Sequence, residues 1–200
     1  MVPTPDDTDD RLMSRAAAGD EEAFVALYRR RHPAIYRYAL QMSGSPAVAQ
    51  DVTQEVFMAV MRGAAGFDAS RGAVAPYLFG MARNLVRRAW RSSGPPAESL
   101  DDTGAVEPGV VDDPLDGLVA RERESQVRRA VAALPPHYRE VVVLCELEEL
   151  SYADAAAAIG QPVGTVRSRL HRARSLLASK LCRGDASATA MGEPSPRWSS

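Results

Sequence analysis

The sequence predicts an all-α protein built as two small helical domains joined by a flexible acidic linker. Three observations predict it. Apolar residues recur with the helical period, and no convincing run alternates as a half-buried strand does. A stretch rich in Pro, Gly and acids interrupts that pattern midway, from Ser92 to about Pro114. The charges are also segregated: Ala69 to Ala97 holds arginines and no acid, Ser92 to Ala120 holds acids and no Lys or Arg, and Ala155 to Gly184 is basic only. Two cationic blocks around an anionic one point to two contact surfaces for a polyanion, although the net charge is only -2. We place a disordered N-terminal tail at 1–10, the first helical domain at 11–92, the linker at 93–114, the second domain at 115–182 and a disordered C-terminal tail at 183–200.

The elements follow in order. Asp20 is positioned to cap a helix with Phe24, Leu27 and Tyr28 on one face. Pro33 marks a bend or restart, after which Ile35, Tyr38, Ala39 and Met42 continue the apolar pattern. Ser45 and Pro46 read as N-cap and first residue of the next helix, whose inward stripe is Val48, Val52, Val56 and Ala59/Val60. A loop with Gly63, Gly66 and Gly72 leads to a helix from about Pro76 to Trp90. The segment 93–114 cannot bury enough apolar surface to offset its ordering entropy. Helical pattern resumes at Leu115 and runs through Val127, Ala130, Val131 and Leu134. Pro135 and Pro136 end that helix and start another through Val141, Val142, Leu144 and Cys145.

Several function classes fall away. Cys145 and Cys182 form no CxxC pair, and His32, His137 and His171 have no metal-ligand spacing, so neither metal nor cofactor is expected. The acidic N-terminus lacks an apolar core and no apolar run reaches spanning length, so a cytoplasmic protein without membrane contact is expected. No nucleophile–base pair or phosphate loop stands out, and no enzyme activity is expected.

The most informative stretch is Ser151 to Leu177, with the motif itself at about 151–174. Ser151 and Asp154 resemble a capping box, and Gly160 is suited to the left-handed position that ends an alanine-rich helix. Gln161-Pro162 opens a second helix in which Val166, Leu170, Ala173 and Leu177 share one face. Arg167, Ser168, His171, Arg172 and Arg174 lie opposite, with Arg169 in the same cationic run. An ordinary solvated helix face usually mixes Glu with Arg; this one has no acid. Helix, tight turn and a helix with apolar back and cationic front make a helix-turn-helix. The major groove admits such a helix, and Arg donates two bonds to guanine. Thr165 and Ser168 are short enough to bond phosphate near the helix start.

PVGTVRSRLHRAR, Pro162 to Arg174, resembles the recognition helix of bacterial sigma-70 family RNA polymerase sigma factors of the extracytoplasmic-function class. ALPPHYREVVVLCELEELSYADAAAAIG resembles the earlier helices of that class's region four. GDEEAFVALYRRRHPAIYRYA, AQDVTQEVFMAVM and PYLFGMARN resemble successive parts of region two. The resemblance spans most of the chain outside linker and tails, in the family's order.

It implies roles residue by residue. Asp51, Gln54 and Glu55 match the segment that docks on the clamp helices of the polymerase's largest subunit; on spacing alone, a solvated helix face serves equally well. Phe57 is assigned to core packing. Phe67 and Asp68 lie in the loop that receives an unpaired base of the minus-ten element, and Arg83, Asn84, Arg87, Arg88 and Arg91 follow on the next helix. Phe67 also fits as a core plug; Tyr77 is assigned to the core and Trp90 to either role. Thr165, Arg167, Ser168, Arg169, His171, Arg172 and Arg174 fall on the minus-thirty-five reader. The partners implied are core RNA polymerase (clamp helices and the flap of the second-largest subunit), promoter DNA and an anti-sigma factor. Three positions depart from the pattern: Tyr77 where Trp is frequent, Arg88 near a usual acid, and Ala155 where a larger aliphatic is usual. The seven carboxylates from Glu98 to Asp116 suit either a nucleic-acid mimic in the polymerase cleft or a solubilising tether. The rival readings are a stand-alone helix-turn-helix regulator, which leaves Asp51, Gln54 and Glu55 without a role, and a nuclease carrying the same motif.

Overall fold

A computed structural model describes residues 7–62, 67, 72–93 and 125–189, with side chains described as far as Leu181. The described residues are helical and hold no strand. Helices α1 (Asp9–Ala17), α2 (Glu21–Ser43), α3 (Pro46–Met61) and α4 (Val74–Ser93) pack together as one bundle. Helix α5 (125–132), α6 (Pro136–Val142) with a π-turn continuation (Val143–Leu147), α7 (Tyr152–Ile159) and α8 (Val163–Thr189) form the C-terminal unit. The expected linker at 93–114 lies almost wholly outside the described residues.

Local chemistry explains the helix ends. Thr8, Asp20, Ser45 and Ser151 each accept a backbone N–H of the first turn as N-cap. Gly44 and Gly160 close α2 and α7 in left-handed conformations, at φ 68° and 63°. The Ser151–Asp154 pair differs from a full capping box. The Ser151 hydroxyl accepts Asp154 N–H at 3.0 Å and donates to the Asp154 carboxylate at 2.7 Å, so the acid bonds the hydroxyl instead of reaching back to the Ser151 amide.

Three expectations are corrected. The disordered tail expected at 1–10 is too long, because Asp7, Asp9 and Asp10 are engaged. Asp7 pairs with Arg15 at 2.8 Å, Asp9 pairs with Arg30 and Arg31, and Asp10 accepts the Val74 N–H at 2.9 Å. Asp10 of α1 thus caps α4 from 64 residues away. At the other end, the backbone of α8 continues through Gly184 to Thr189, past the expected boundary at 183, since one glycine weakens a helix without breaking it. Pro33 neither bends the chain away nor restarts it: α2 is one helix through it. Pro33 and Arg29 both face solvent, where water can take the carbonyl that the proline leaves unpaired.

The core is one apolar cluster running through both units. In the bundle it holds Leu12, Leu27, Ile35, Tyr38, Val52, Val56, Phe57, Leu78 and Phe79; in the C-terminal unit it holds Leu134, Val141, Leu144, Ile159, Val166 and Leu170. The two meet where α4 packs on α7 and where α2 meets α6 and its π-turn. Gly80 lies at the first contact, where a Cβ would stand at an ordinary van der Waals distance, 3.4 Å, from the Ala158 carbonyl oxygen.

Candidate nucleic-acid interface

Helix α3 separates its faces cleanly. Val52, Val56 and Val60 are buried, while Asp51, Gln54 and Glu55 are all exposed on the opposite side. Phe57 is 3% exposed, edge-on to Tyr28 with ring centres 4.8 Å apart, in agreement with core packing. Asp51 and Glu55 stand one turn apart, so their charges and the Gln54 amide form one polar face on a rigid helix.

Along α4, Asn84, Arg87, Arg88 and Arg91 are exposed. Arg83 is not free: its Nε donates to Glu140 Oε1 at 2.7 Å, with the two side chains 16% and 9% exposed. Phe67 is half-buried beside Tyr77, ring centres 5.3 Å apart. Those two rings, Pro76 and Asn84 line one side of a cavity of about 450 Å³ whose other side is α7, through Asp154, Ala157 and Gly160. Asp68 lies outside the described residues. Trp90 is half-buried at a second cavity of about 340 Å³, shared with Arg87, His137 and Arg169, and its indole N–H finds no partner among the described residues.

The helix-turn-helix has the predicted build. Val166, Leu170 and Ala173 are buried at 0%, 1% and 0% exposure, and Leu177 packs against the same cluster. On the front, Arg167, Ser168, His171, Arg172 and Arg174 are exposed, whereas Thr165 and Arg169 are half-buried. Two of the cations are held from within their own unit. Arg167 lies over the Tyr152 ring, 5.8 Å from its centre, and Arg174 pairs with Glu146 at 2.5 Å. The pairing with Glu146 holds the Arg174 guanidinium pKa above its ordinary value. Among the described residues there is no cluster of His, Cys, Asp and Glu able to hold a metal ion.

This geometry joins an acidic, amide-bearing helix face and a cationic helix-turn-helix in one chain. The family comparison decides what that pairing means. Residues 27–95 match the profile of sigma-70 region 2, and residues 124–177 match that of sigma-70, region 4. The chain belongs to the extracytoplasmic-function sigma factors. It is 31% identical over 181 residues to the RNA polymerase sigma factor SigW of Bacillus subtilis, covering 86% of this chain and 95% of SigW. It is 33% identical over 174 residues to SigE of Mycolicibacterium smegmatis, covering 84% of this chain and 66% of SigE. It also resembles the solved structure of CnrH in complex with the cytosolic domain of CnrY, at TM-score 0.67 and 26% identity, over 88% of this chain and 99% of that one. The sigma factor RpoE of Bartonella quintana, solved with the anti-sigma factor NepR, aligns at TM-score 0.61 and 26% identity, over 79% of this chain and 96% of RpoE.

Sequence reasoning about this sigma factor missed the residues that join its two units. Glu140, Tyr38, Arg37, Glu148 and Arg139 carry polar contacts between them. One signal was present: Glu140 directly precedes the apolar run Val141 to Leu144 with no Lys or Arg three or four residues away, and a buried charge needs a partner from elsewhere. No helix among the described residues is long and apolar enough to cross a membrane.

Proposed function

We propose that this sigma factor works in the cytoplasm as a non-catalytic initiation subunit, lending core RNA polymerase its promoter choice through two helical domains, at 11–92 and 115–182. In this reading Asp51, Gln54 and Glu55 dock on the clamp helices of the largest subunit. Phe67 and Asp68 take an unpaired base of the minus-ten element, while Arg83, Asn84, Arg87, Arg88 and Arg91 follow its backbone. Thr165, Arg167, Ser168, Arg169, His171, Arg172 and Arg174 meet the minus-thirty-five duplex, with the C-terminal domain on the polymerase flap. The chemistry belongs to the polymerase.

The observation that carries this reading is the pairing, in one chain, of an exposed Asp51–Gln54–Glu55 face with a cationic helix whose apolar back is fully buried. A stand-alone regulator needs only the second. Control by an anti-sigma factor accords with RpoE, solved with such a partner.

The test is transcription by core polymerase on genomic fragments, with and without the protein. Promoter-specific transcripts that require it, and that vanish in a chain carrying Asp51→Ala and Glu55→Ala, are expected. Replacing Arg172 by Ala is expected to cost roughly 1–3 kcal/mol and relax base choice locally if that residue reads a base. Loss of a phosphate contact instead weakens all promoters alike and flattens the salt dependence. Operator binding without any polymerase dependence would refute the reading.

A further inference from the structure

The front of α8 carries two kinds of arginine. Arg167 and Arg174 are held by other side chains, whereas Arg169 and Arg172 have no side-chain partner among the described residues. The two held arginines are seven residues apart, so they share one line of the helix, about 10 Å from each other along its axis. Both holds come from one short segment, Glu146 to Tyr152, which joins the π-turn to α7. Glu146 accepts from Arg174 Nη2 at 2.5 Å, and the Tyr152 ring centre lies 5.8 Å from the guanidinium carbon of Arg167. Glu146 chiefly, and Tyr152 to a lesser degree, keep the Arg174 guanidinium above its ordinary pKa, so Tyr152 stands near both arginines. The segment is itself pinned. Leu150 N–H donates to the Leu144 carbonyl at 2.9 Å across Glu149, which takes the left-handed conformation at φ 56° that closes a helix.

We propose that Glu146 and Tyr152 are positioning residues that set sequence choice. They hold Arg174 and Arg167 in fixed orientations toward the minus-thirty-five duplex and lower the pull of α8 on DNA of any sequence. The inference rests on the placement of α8 on that duplex under the proposed function.

The chemistry of each hold leaves the arginine able to read. A cation–π contact uses none of the guanidinium's hydrogen bonds, so Arg167 keeps its N–H donors. The bond to Glu146 engages one Nη of Arg174 and leaves most of the planar fork for acceptors on DNA. The same carboxylate offsets the charge that draws a free arginine to any phosphate. A side chain fixed before binding loses less freedom on contact, but only with acceptors that match its orientation. Specificity is a difference between affinities, so weakening the contact with arbitrary DNA sharpens it as surely as strengthening the right one.

The test uses holoenzyme assembled from core polymerase and the full-length chain. It is titrated, over a series of salt concentrations, onto a promoter fragment that the protein uses and onto the same fragment with its minus-thirty-five element shuffled. Glu146→Gln keeps the shape and removes the charge. It is expected to bind the shuffled fragment about fivefold tighter near physiological salt, and to steepen the log–log salt slope there by about one, as one freed phosphate contact would. The promoter is expected to gain less, so the ratio of the two affinities falls. Tyr152→Ala is expected to weaken promoter binding about two- to fivefold and leave the shuffled fragment unchanged, while Tyr152→Phe, which keeps the ring, matches the parent. Circular dichroism confirms that each variant is folded; a merely structural loss would weaken both fragments alike without steepening the slope. A folded Glu146→Gln chain that keeps the parent's slope and affinity ratio, or that binds both fragments more weakly, overturns the proposal. So does a Tyr152→Phe chain as impaired as Tyr152→Ala. Failure of the underlying placement shows separately, in the parent: a holoenzyme that binds both fragments equally has no minus-thirty-five reader for these residues to position.

Discussion

Arg37 and Glu148, 111 residues apart in sequence, face each other as a two-pronged ion pair in which the acid is almost entirely covered and the base is half in solvent. That asymmetry decides the pair's response to pH. Burial pushes the Glu148 carboxyl above the ordinary carboxylate range, with Arg37 opposing the shift. The folded chain then binds this proton more tightly than the unfolded chain does. The residue's proton-linked contribution to stability is complete below the unfolded value and lost as pH rises through the folded one. The stability of the parent relative to Glu148→Gln is expected to improve as pH falls from neutrality toward 4.5, measured by urea unfolding at a series of pH values. A difference that is flat, or that grows toward neutrality, contradicts this.

Cys145 offers a second pH-dependent prediction. Burial first, and then the neighbouring Glu146 charge, raise its thiol to about 11. At pH 8 only about one thiol in a thousand is then ionised, and the thiolate is the reactive form. In a Cys182→Ser chain, Cys145 is expected to react with a thiol reagent at least about tenfold slower than the same chain in urea. Its rate is expected to climb steeply above pH 9. Equal rates in folded and unfolded chains would show an accessible, ordinary thiol.

The helix-turn-helix depends on two small residues at the ends of α7. Gly160 has φ 63° and open space around a Cβ position, so Gly160→Ala meets no clash and suffers only the left-handed backbone strain. That strain is worth about 1 kcal/mol. Ser151→Ala removes the cap and is expected to cost about 1 kcal/mol as well. Thermal unfolding of both variants checks these values, and an unchanged midpoint in either would mean that tertiary contacts alone hold α7.

Arg139 makes a different kind of contact. It is 8% exposed and donates to the carbonyls of Ala132 and Leu134 at the end of α5, and at 3.4 and 3.5 Å to those of Gln41 and Met42 in the last turn of α2. These are helix-end carbonyls that lack intrahelical partners. Lysine keeps the charge but offers a point donor in place of a planar fork. Arg139→Lys is therefore expected to lose on the order of 2 kcal/mol in chemical denaturation. A loss of a few tenths at most would show that the charge, and not the fork, is what matters.

The helices and their faces were legible in the sequence because they arise from local causes. The caps at Asp20, Ser45 and Ser151, the left-handed closure at Gly160 and the apolar back of α8 each need only residues within a few turns. Pro33 was misread because a proline's effect depends on which way it faces, and only packing turns it outward. The tail 1–10 was misread because Asp10 finds its use at the N-terminus of α4, a partner that no local rule can name. Candidate residues divide in the same manner. The exposed face of Asp51, Gln54 and Glu55 and the front of α8 follow from helical period alone. The capture of Arg83 by Glu140, and of Glu148 by Arg37, exists only once two units have packed. Periodicity determines which side of a helix is dry, because burial of apolar area is non-directional and needs no particular partner. Ion pairs across 57 or 111 residues are directional and short-ranged, so tertiary structure alone decides them.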